Sequence, residues 1–439
     1  MNAVLVAVIV MVLLSLVRVH VVIALSVGAI IGGLLSGLGL EQTIKIFSEG
    51  LGGSATIALS YALLGAFAIG IARTGLPNVL VTFVISLVSR NDDSRKKALS
   101  KALIFFILTL VACSSQNLVP IHIAFIPILI PPILKIFNEL DVDRRAIASI
   151  LTFGLTAPYM FLPYGFGGIF HGIIVENIAA NGVAVELSDV MKAMALPVSG
   201  LVIGLLVAVF ITYRKPRHYE NRDLVRNGGV EQTYTKWSIT AGLLSILATI
   251  IIQTVYESMI AAALAGIAVL IISGSLKWKE ADGVITDGMQ MMAFISFVML
   301  TASGFAAVIR ETGHVDLLVA QAATIVGDSK SLAAMLMLLV GLFVTLGIGS
   351  SFATVPIIAT LFVPLGLAVG FSPLAILSLI GTAGGLGDAG APASDSTLGP
   401  TAGLNADGQH NHIWDTCVPT FLHYNIPLLI FGWIAAMVL

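Results

Sequence analysis

Apolar runs about as long as a bilayer is thick recur from one end of the chain to the other, and they constrain the fold more than any motif does. A hydrocarbon core about 30 Å thick is crossed by roughly 20 apolar residues in a helix, or by fewer where a helix stops midway. Such runs occupy 3–17, 19–39, 55–74, 98–113, 146–175, 190–213, 237–253, 256–274, 289–309, 331–349, 373–386 and 413–438. Shorter apolar pieces lie at 78–89 and 314–326, and the stretches 114–137 and 350–372 are apolar but broken by proline. Only 10% of the 439 residues are charged, against about 25% in a soluble domain. The expectation is an all-α polytopic membrane protein, embedded in the lipid bilayer.

Several classes drop out. The net charge of -2 comes without a basic stripe, so nucleic acid is not an expected partner. Cys113 and Cys417 sit beside apolar runs, without the spacing of a metal site or a disulfide framework. The run 3–17 has no Lys or Arg before it and no clear small-residue cleavage site after it, so it reads as a retained helix. With no His-Glu-x-x-His motif and no nucleophile elbow, the chain is not expected to be an enzyme or to carry a cofactor.

Basic residues gather in two places: Arg90, Arg95, Lys96, Lys97 and Lys101, then Arg214, Lys215, Arg217, Arg222, Arg226 and Lys236. The positive-inside rule puts 90–101 and 214–236 in the cytoplasm. The second segment is the expected linker between an N-terminal transmembrane repeat, 1–213, and a C-terminal one, 237–439. After Lys330 no basic side chain follows, yet Asp388, Asp395, Asp407 and Asp415 do. A membrane-buried aspartate there must rely on protons, cations, backbone donors or a base from elsewhere.

The halves resemble one another. Glu49-Gly50 aligns with Asp287-Gly288, and Ala24 with Gly28 aligns with Ala262 and Gly266. The stretch from Gly65-Ala66-Phe67-Ala68 to Gly75 aligns with that from Ser303-Gly304-Phe305-Ala306 to Gly313. All share an offset of 238 residues, and Ser114-Ser115 matches Ser350-Ser351 at 236. Duplicated halves, expected to be inverted, are a mark of transporters, whose sites lie at the repeat interface near the bilayer midplane.

Four polar, broken segments interrupt the apolar pattern: Ser114–Pro132, its mate Ser350–Pro364, Thr152–Gly168 and Gly381–Gly403. Proline removes a helix hydrogen bond and glycine lowers helix propensity, so the freed backbone groups need partners inside protein or around a cavity. The first two read as re-entrant hairpins or broken helices with Ser-Ser at the tip. Ser114, Ser115, Gln116, Asn117, Ser350, Ser351 and Thr354 are candidate substrate and ion ligands there. A kink sealed by serine is the structural alternative. His122 is a candidate for handling cargo or a proton, or a structural histidine; His171 is similar and weaker. In the last segment Asp388 and Asp395 are costly in a membrane and functional by default, with helix capping as the alternative. Ser394, Ser396 and Thr397 could join them around a cation. His410 and His412 read as surface residues of a polar loop, Asp407 and Asp415 as membrane-boundary residues, and Glu49 and Asp287 as helix-end residues.

The run Gly387-Asp388-Ala389-Gly390-Ala391-Pro392-Ala393-Ser394-Asp395-Ser396-Thr397 resembles the NhaC-type sodium/proton antiporter family of the ion-transporter superfamily. That family has Gly-Asp followed by Ser-Pro-x-Ser-Asp-Thr-Thr; Ala391 replaces its first serine and Ser396 its first threonine. The stretch from His412 to Pro419, with Thr416, is similar to the family's segment before the last helix. Ser114–Pro132 and Arg95-Lys96-Lys97 are more like a bacterial branch thought to import amino acids, histidine in particular. The resemblance implies an ion-coupled transporter of the bacterial inner membrane that forms a homodimer. Asp388, Ser394, Asp395, Ser396 and Thr397 would hold the coupling ion, Na+ or H+, and a small amino acid would be the substrate. Exchange of Na+ for H+ without organic cargo is the alternative.

Overall fold

Inside a bilayer the backbone must satisfy its own hydrogen bonds, and a chain this apolar does so as helices. The computed structural model describes residues 2–17, 19–76, 79, 94–117, 122–164, 166–221, 234–256, 258–314, 317, 329–349 and 351–439. No strand occurs among the described residues. The first half holds α1 (Ala3–Leu16), α2 (Val21–Leu35), α3 (Leu40–Gly50), α4 (Ala55–Ala72) and α5 (Ser94–Asn117). It continues with α6 (His122–Glu139), α7 (Arg144–Phe161), α8 (Phe166–Ala180) and α9 (Leu187–Val207), which runs into a π-helical turn at Ala208–Thr212. The second half holds α10 (Lys236–Tyr256), α11 (Met259–Ile272), α12 (Trp278–Glu311) and α13 (Lys330–Ile348). It ends with α14 (Ser351–Val369), α15 (Pro373–Gly385), α16 (Asp395–Leu404) and α17 (His412–Val438).

Among the described residues four helices are long and apolar enough to cross a membrane: Leu187–Thr212, Lys236–Tyr256, Lys330–Ile348 and His412–Val438. Two bent pairs also qualify: Leu40–Gly53 with Ala58–Ala72, bent by 44°, and Arg144–Phe161 with Phe166–Ala180, bent by 46°. Helices α1, α2, α11 and α15 have 13 to 15 residues, a rise of roughly 20–22 Å that falls short of the hydrocarbon core. Helix α10 turns Leu243, Leu247, Ile251 and Val255 outward, as a lipid-facing helix must. In contrast, α15 is buried from Ala375 to Gly385 and α7 almost throughout, so these two lie at the centre.

The repeat is visible element by element. Helices α2 and α11 start 238 residues apart, as do α3 and α12, while α5 and α13 start 236 apart. Contacts between the halves are reciprocal: Gly28 lies against Phe305, and Gly266 lies against Phe67. Gly50 packs on Ser303 and Gly304, while Gly288 packs on Gly65 and Ala66. Ser303 Oγ donates to the Gly50 carbonyl at 2.8 Å, and Ser296 Oγ donates to the Ala58 carbonyl at 2.9 Å. As the index rises along α3 and α4 through 50, 58 and 65, its partner on α12 falls through 303, 296 and 288. The mates therefore run antiparallel, and Ala58 and Ser296, themselves mates, mark the pseudo-two-fold axis. Homologous membrane helices that run antiparallel make the repeat inverted.

Sequence and structure differ in three respects here. The run expected at 289–309 is the end of a 34-residue helix. Its mate breaks at Leu51–Ser54, because Gly52-Gly53-Ser54 disfavours the helix that Gln290-Met291-Met292 sustains. Asp287 is therefore mid-helix and exposed, whereas Glu49 is at the end of α3. The first Ser-Ser pair lies within the last turns of α5, not at a hairpin tip. In the second, Gly349 ends α13 in the left-handed region and Ser351 opens α14. The apolar pieces at 78–89 and 314–326 lie almost wholly outside the described residues.

Candidate functional site

Two broken helices meet at the centre of the molecule. One is α7–α8, whose first helix ends at Phe161 and whose second starts at Phe166; the other is α15–α16, interrupted at 386–394. They occupy corresponding places in the two halves, each after a helical pair and before the last helix of its repeat. Met160 packs on Gly385, and Thr152 Oγ1 donates to the Ser396 carbonyl at 2.8 Å.

The break in α15–α16 follows from its glycines. Gly387 has φ +88° and Gly390 has φ +112°, where an L side chain is strained. A Cβ on Gly390 would also lie 2.6 Å from Phe421 Cβ. The backbone freed by the break is satisfied by side chains. Asn425 Nδ2 donates to the Ala389 carbonyl, and the Gly387 amide donates to Asn425 Oδ1 at 2.7 Å. Thr397 Oγ1 donates to the Ala391 carbonyl at 2.6 Å, and His412 Nε2 lies 2.8 Å from the Pro392 carbonyl. An unwound segment at membrane depth is stable only with such a lining.

Asp388 is the focus of this segment. The residue is 9% exposed, and its carboxylate accepts three hydroxyl hydrogen bonds: Ser394 Oγ at 2.7 Å, Ser396 Oγ at 2.7 Å and Tyr159 OH at 3.1 Å. Tyr159 OH is 2.9 Å from Ser351 Oγ, which ties α14 to the cluster. Ser394 is also the N-cap of α16, accepting from the Ser396 amide, so the carboxylate stands at a helix N-terminus. Asp395 is half-buried and accepts from Tyr61 OH of α4 at 3.2 Å. Among the described residues no Lys or Arg pairs with either aspartate. Beside Tyr159, the rings of Phe166, Phe170 and Phe352 form an aromatic cluster with centroids 4.5 to 6.2 Å apart.

Of the residues expected from sequence, Asp388, Ser394, Ser396 and Ser351 are brought together, with Asp395 alongside. Thr397 faces the backbone of the break, and Thr354 is fully buried in α14. Ser114 is exposed near the end of α5. Ser350 and the side chains of Ser115, Gln116, Asn117 and His122 lie outside the described residues. His171 is buried, with Nε2 3.2 Å from the Met160 carbonyl. Sequence reasoning missed Tyr61, Tyr159 and Asn425, which reach the break from distant elements.

The expected surface position of His410 and His412 is wrong: they are 2% and 6% exposed. Their loop is covered by the segment 214–221 and the start of α7. Arg144, fully buried, clamps Asp407 with two bonds of 2.7 and 2.6 Å and donates to the Leu404 carbonyl at 2.8 Å. Its guanidinium lies 4.3 Å from the centre of the Tyr219 ring. Arg217 pairs with Asp415 at 2.8 Å, and Gln409 bonds the backbone of Glu220. Burial raises the Asp407 carboxyl, but the Arg144 bonds outweigh it and hold the group below the usual carboxylate range.

Residues 150–433 match the Na+/H+ antiporter family, and residues 2–88 match a second Na+-H+ antiporter family description. The chain is 57% identical over its full length, and the relative's, to a Bacillus subtilis protein named "Putative amino acid transporter YuiF". It is 54% identical, again over the whole of both chains, to an uncharacterized membrane protein of Vibrio parahaemolyticus. Among solved structures, the Alcanivorax borkumensis YdaH transporter aligns with TM-score 0.42 at 17% identity, covering 92% of this chain and 89% of that one. On the match to residues 150–433 and the full-length relatives, the chain belongs to the Na+/H+ antiporter family of membrane transporters.

Proposed function

We propose that this protein is a secondary active transporter of the bacterial inner membrane that moves a small amino acid, with histidine the favoured cargo, driven by Na+ or H+. In this reading the loops 90–101 and 214–236 are cytoplasmic and the protein works as a homodimer. Asp388 holds the coupling ion with Ser394 and Ser396, while Asp395 and Thr397 complete its surroundings. The observation that carries the reading is the Asp388 carboxylate, buried at the crossing of two broken helices, whose side-chain hydrogen-bond donors among the described residues are neutral hydroxyls. Hydroxyl donors ease the desolvation of a carboxylate but do not cancel its charge, and a cation or proton does. Bound Na+ would take oxygens from Asp388 and Ser351 or Ser396; a proton would simply neutralise the carboxyl.

The cargo side of the reading rests on different features. The aromatic cluster around Tyr159 and Phe352 offers a planar, partly apolar wall beside the ion. A cationic or imidazole-bearing side chain is attracted to such faces. The Bacillus subtilis relative's name points to an amino acid, of no stated kind, as cargo. The family description favours a second reading, Na+/H+ exchange without organic cargo, in which sodium and protons compete for the same aspartates.

The two are separated by reconstituting the protein in proteoliposomes with imposed Na+ and pH gradients and a panel of labelled amino acids. Accumulation of labelled histidine above the equilibrium level, dependent on one gradient, is the expected result. Proton movement on adding Na+ with no amino acid present, and no labelled uptake, would replace the first reading with the second. Neither flux from a correctly inserted protein would sink both.

A further inference from the structure

Beyond the aspartates, a chain of hydrogen bonds leads from a polar cavity to the unwound segment. The cavity, about 500 Å³, is lined by His20, Asn405, Gln409, His410, His412 and Asp415 among others. His410 Nε2 is 2.7 Å from Thr416 Oγ1, which is 2.9 Å from Thr401 Oγ1. Thr401 Oγ1 in turn is 2.8 Å from His412 Nδ1, and His412 Nε2 is 2.8 Å from the Pro392 carbonyl. All four side chains are buried. The other nitrogen of the first ring, His410 Nδ1, is buried without a hydrogen-bond partner. The chain is made by the π-helical first turns of α17, which carry His412 and Thr416 to meet Thr401 of α16; such turns cluster at functional sites.

We propose that His410, Thr416, Thr401 and His412 form a proton relay between this cavity and the 386–394 break. The proposal rests on the proton-coupled form of the function given above. From His410 to His412 Nδ1 every group can both give and take a hydrogen bond, so that part of the row can be oriented in two ways, while the Pro392 carbonyl only accepts. In one, His410 Nε2–H donates to Thr416, Thr416 to Thr401, and Thr401 to His412 Nδ1, with His412 Nε2–H on the Pro392 carbonyl. A proton arriving at His410 Nδ1 releases the one on Nε2 to Thr416. The Thr416 proton passes to Thr401, and that of Thr401 passes to His412 Nδ1. One proton has entered and one positive charge has appeared, on His412; His410 is left neutral with its proton on Nδ1. In this second orientation Thr401 donates to Thr416, as in the structure.

The charge then sits against the carbonyl of Pro392, in the segment that also carries Asp388. A proton on His412 and a cation at Asp388 raise each other's free energy, and linkage makes the effect reciprocal. The groups acting on the relay from the surrounding elements are Asp415 on α17, Arg144 on α7 and Arg217 of the linker, with His412 itself facing His410. Cys417 Sγ lies 3.5 Å from His412 Nε2, and His20 stands across the cavity. Burial opposes a proton at His410; Asp415 favours one there, and Arg144, His412 and Arg217 oppose its staying.

The test uses the full chain in proteoliposomes with an entrapped pH dye, and Thr416→Val, which removes one hydroxyl at nearly constant shape. Thr416→Val is expected to slow proton movement driven by a Na+ or histidine gradient by roughly tenfold or more, and Thr416→Ser to restore it. Binding of radioactive Na+ to detergent-purified Thr416→Val should stay within about twofold of the parent, well under the tenfold equivalent of 1.4 kcal/mol. Parent-like proton movement in Thr416→Val overturns the relay alone and leaves the proposed function standing. Loss of Na+ binding in Thr416→Val without rescue by serine makes the residue structural and also overturns it. Absence of any proton movement in the parent protein overturns both the relay and the proton-coupled reading.

Discussion

Asp388 and Asp395 stand seven residues apart, yet their surroundings differ. Among the described residues Asp388 accepts from three hydroxyls, whereas Asp395 accepts from that of Tyr61. Asn at 388 keeps one acceptor oxygen and turns an amide toward hydroxyls that were donating, and it removes the charge. Asp388→Asn should weaken Na+ binding by about 10–100-fold, the equivalent of about 1.5–3 kcal/mol for a charged hydrogen-bonding group, as read by scintillation binding. Asp395→Asn should abolish coupled uptake while membrane insertion stays normal; full uptake by that variant would remove Asp395 from the site. The acidic segment was readable in the sequence because carboxylates amid glycines in an apolar chain are costly. Its partners were not: Tyr159 and Tyr61 lie 229 and 334 residues from the aspartates they bond, and nothing local to a tyrosine in an apolar helix reveals that.

At the same scale, Arg144 and Asp407 form a pair that composition hides, since one ends a basic-poor stretch and the other sits in a polar loop. Removing one partner leaves a buried charge, so Asp407→Asn should cost about 3–5 kcal/mol of stability, read as a lower melting temperature in detergent. The folded-state pKa of Asp407 is depressed. The pair's stabilisation is therefore fully present above the unfolded carboxylate value, near 3.9, and is lost only as pH falls through the lower folded value. The gap between parent and Asp407→Asn should stay flat from about pH 5 to 8 and close only in stronger acid. A gap that closed near neutral pH would mean that another group sets it. The same packing explains why His410 and His412 were misjudged: their loop is polar in sequence, but the linker and Arg144 bury it.

Elements were legible to the extent that helix propensity and apolar length dictate them. The spans at 190–213, 237–253, 331–349 and 413–438 became α9, α10, α13 and α17 because each fills a bilayer without a break. The correspondence between the two breaks, α7–α8 and α15–α16, was not legible, since one is built on proline and the other on glycine. Gly390 shows what the second break requires. Alanine there would need a φ of +112° and would press on the backbone of Phe421, at a cost of about 1–3 kcal/mol. Gly390→Ala should therefore lower both the melting temperature and the Na+ affinity. Gly408→Ala, at φ +75° but with open space around it, should lower only the former. Equal Na+ binding in the two variants would show that the shape of the 386–394 segment does not matter to the ion.

At the scale of the whole molecule, a duplicated sequence does not say how its copies face. Offsets of 238 and 236 residues are the same whether the halves are parallel or inverted, and only the contacts decide. The pairs 50 with 303, 58 with 296 and 65 with 288 make α4 and α12 antiparallel. An in-plane axis brings the ends of the two broken helices to one depth, where each half supplies part of the lining of a single central site. In transporters built on inverted repeats, rocking of one half against the other around the fixed site gives alternating access. Arg73 and Glu311 are mates at the ends of α4 and α12, so inversion puts them on opposite sides of the membrane. With Cys113 and Cys417 replaced by serine, Arg73→Cys and Glu311→Cys should react with an impermeant maleimide from opposite faces of sealed vesicles. Labelling of both from one face would mean that the copies are parallel. The Asp388 cluster would then be an accident of one half, not the meeting point of two.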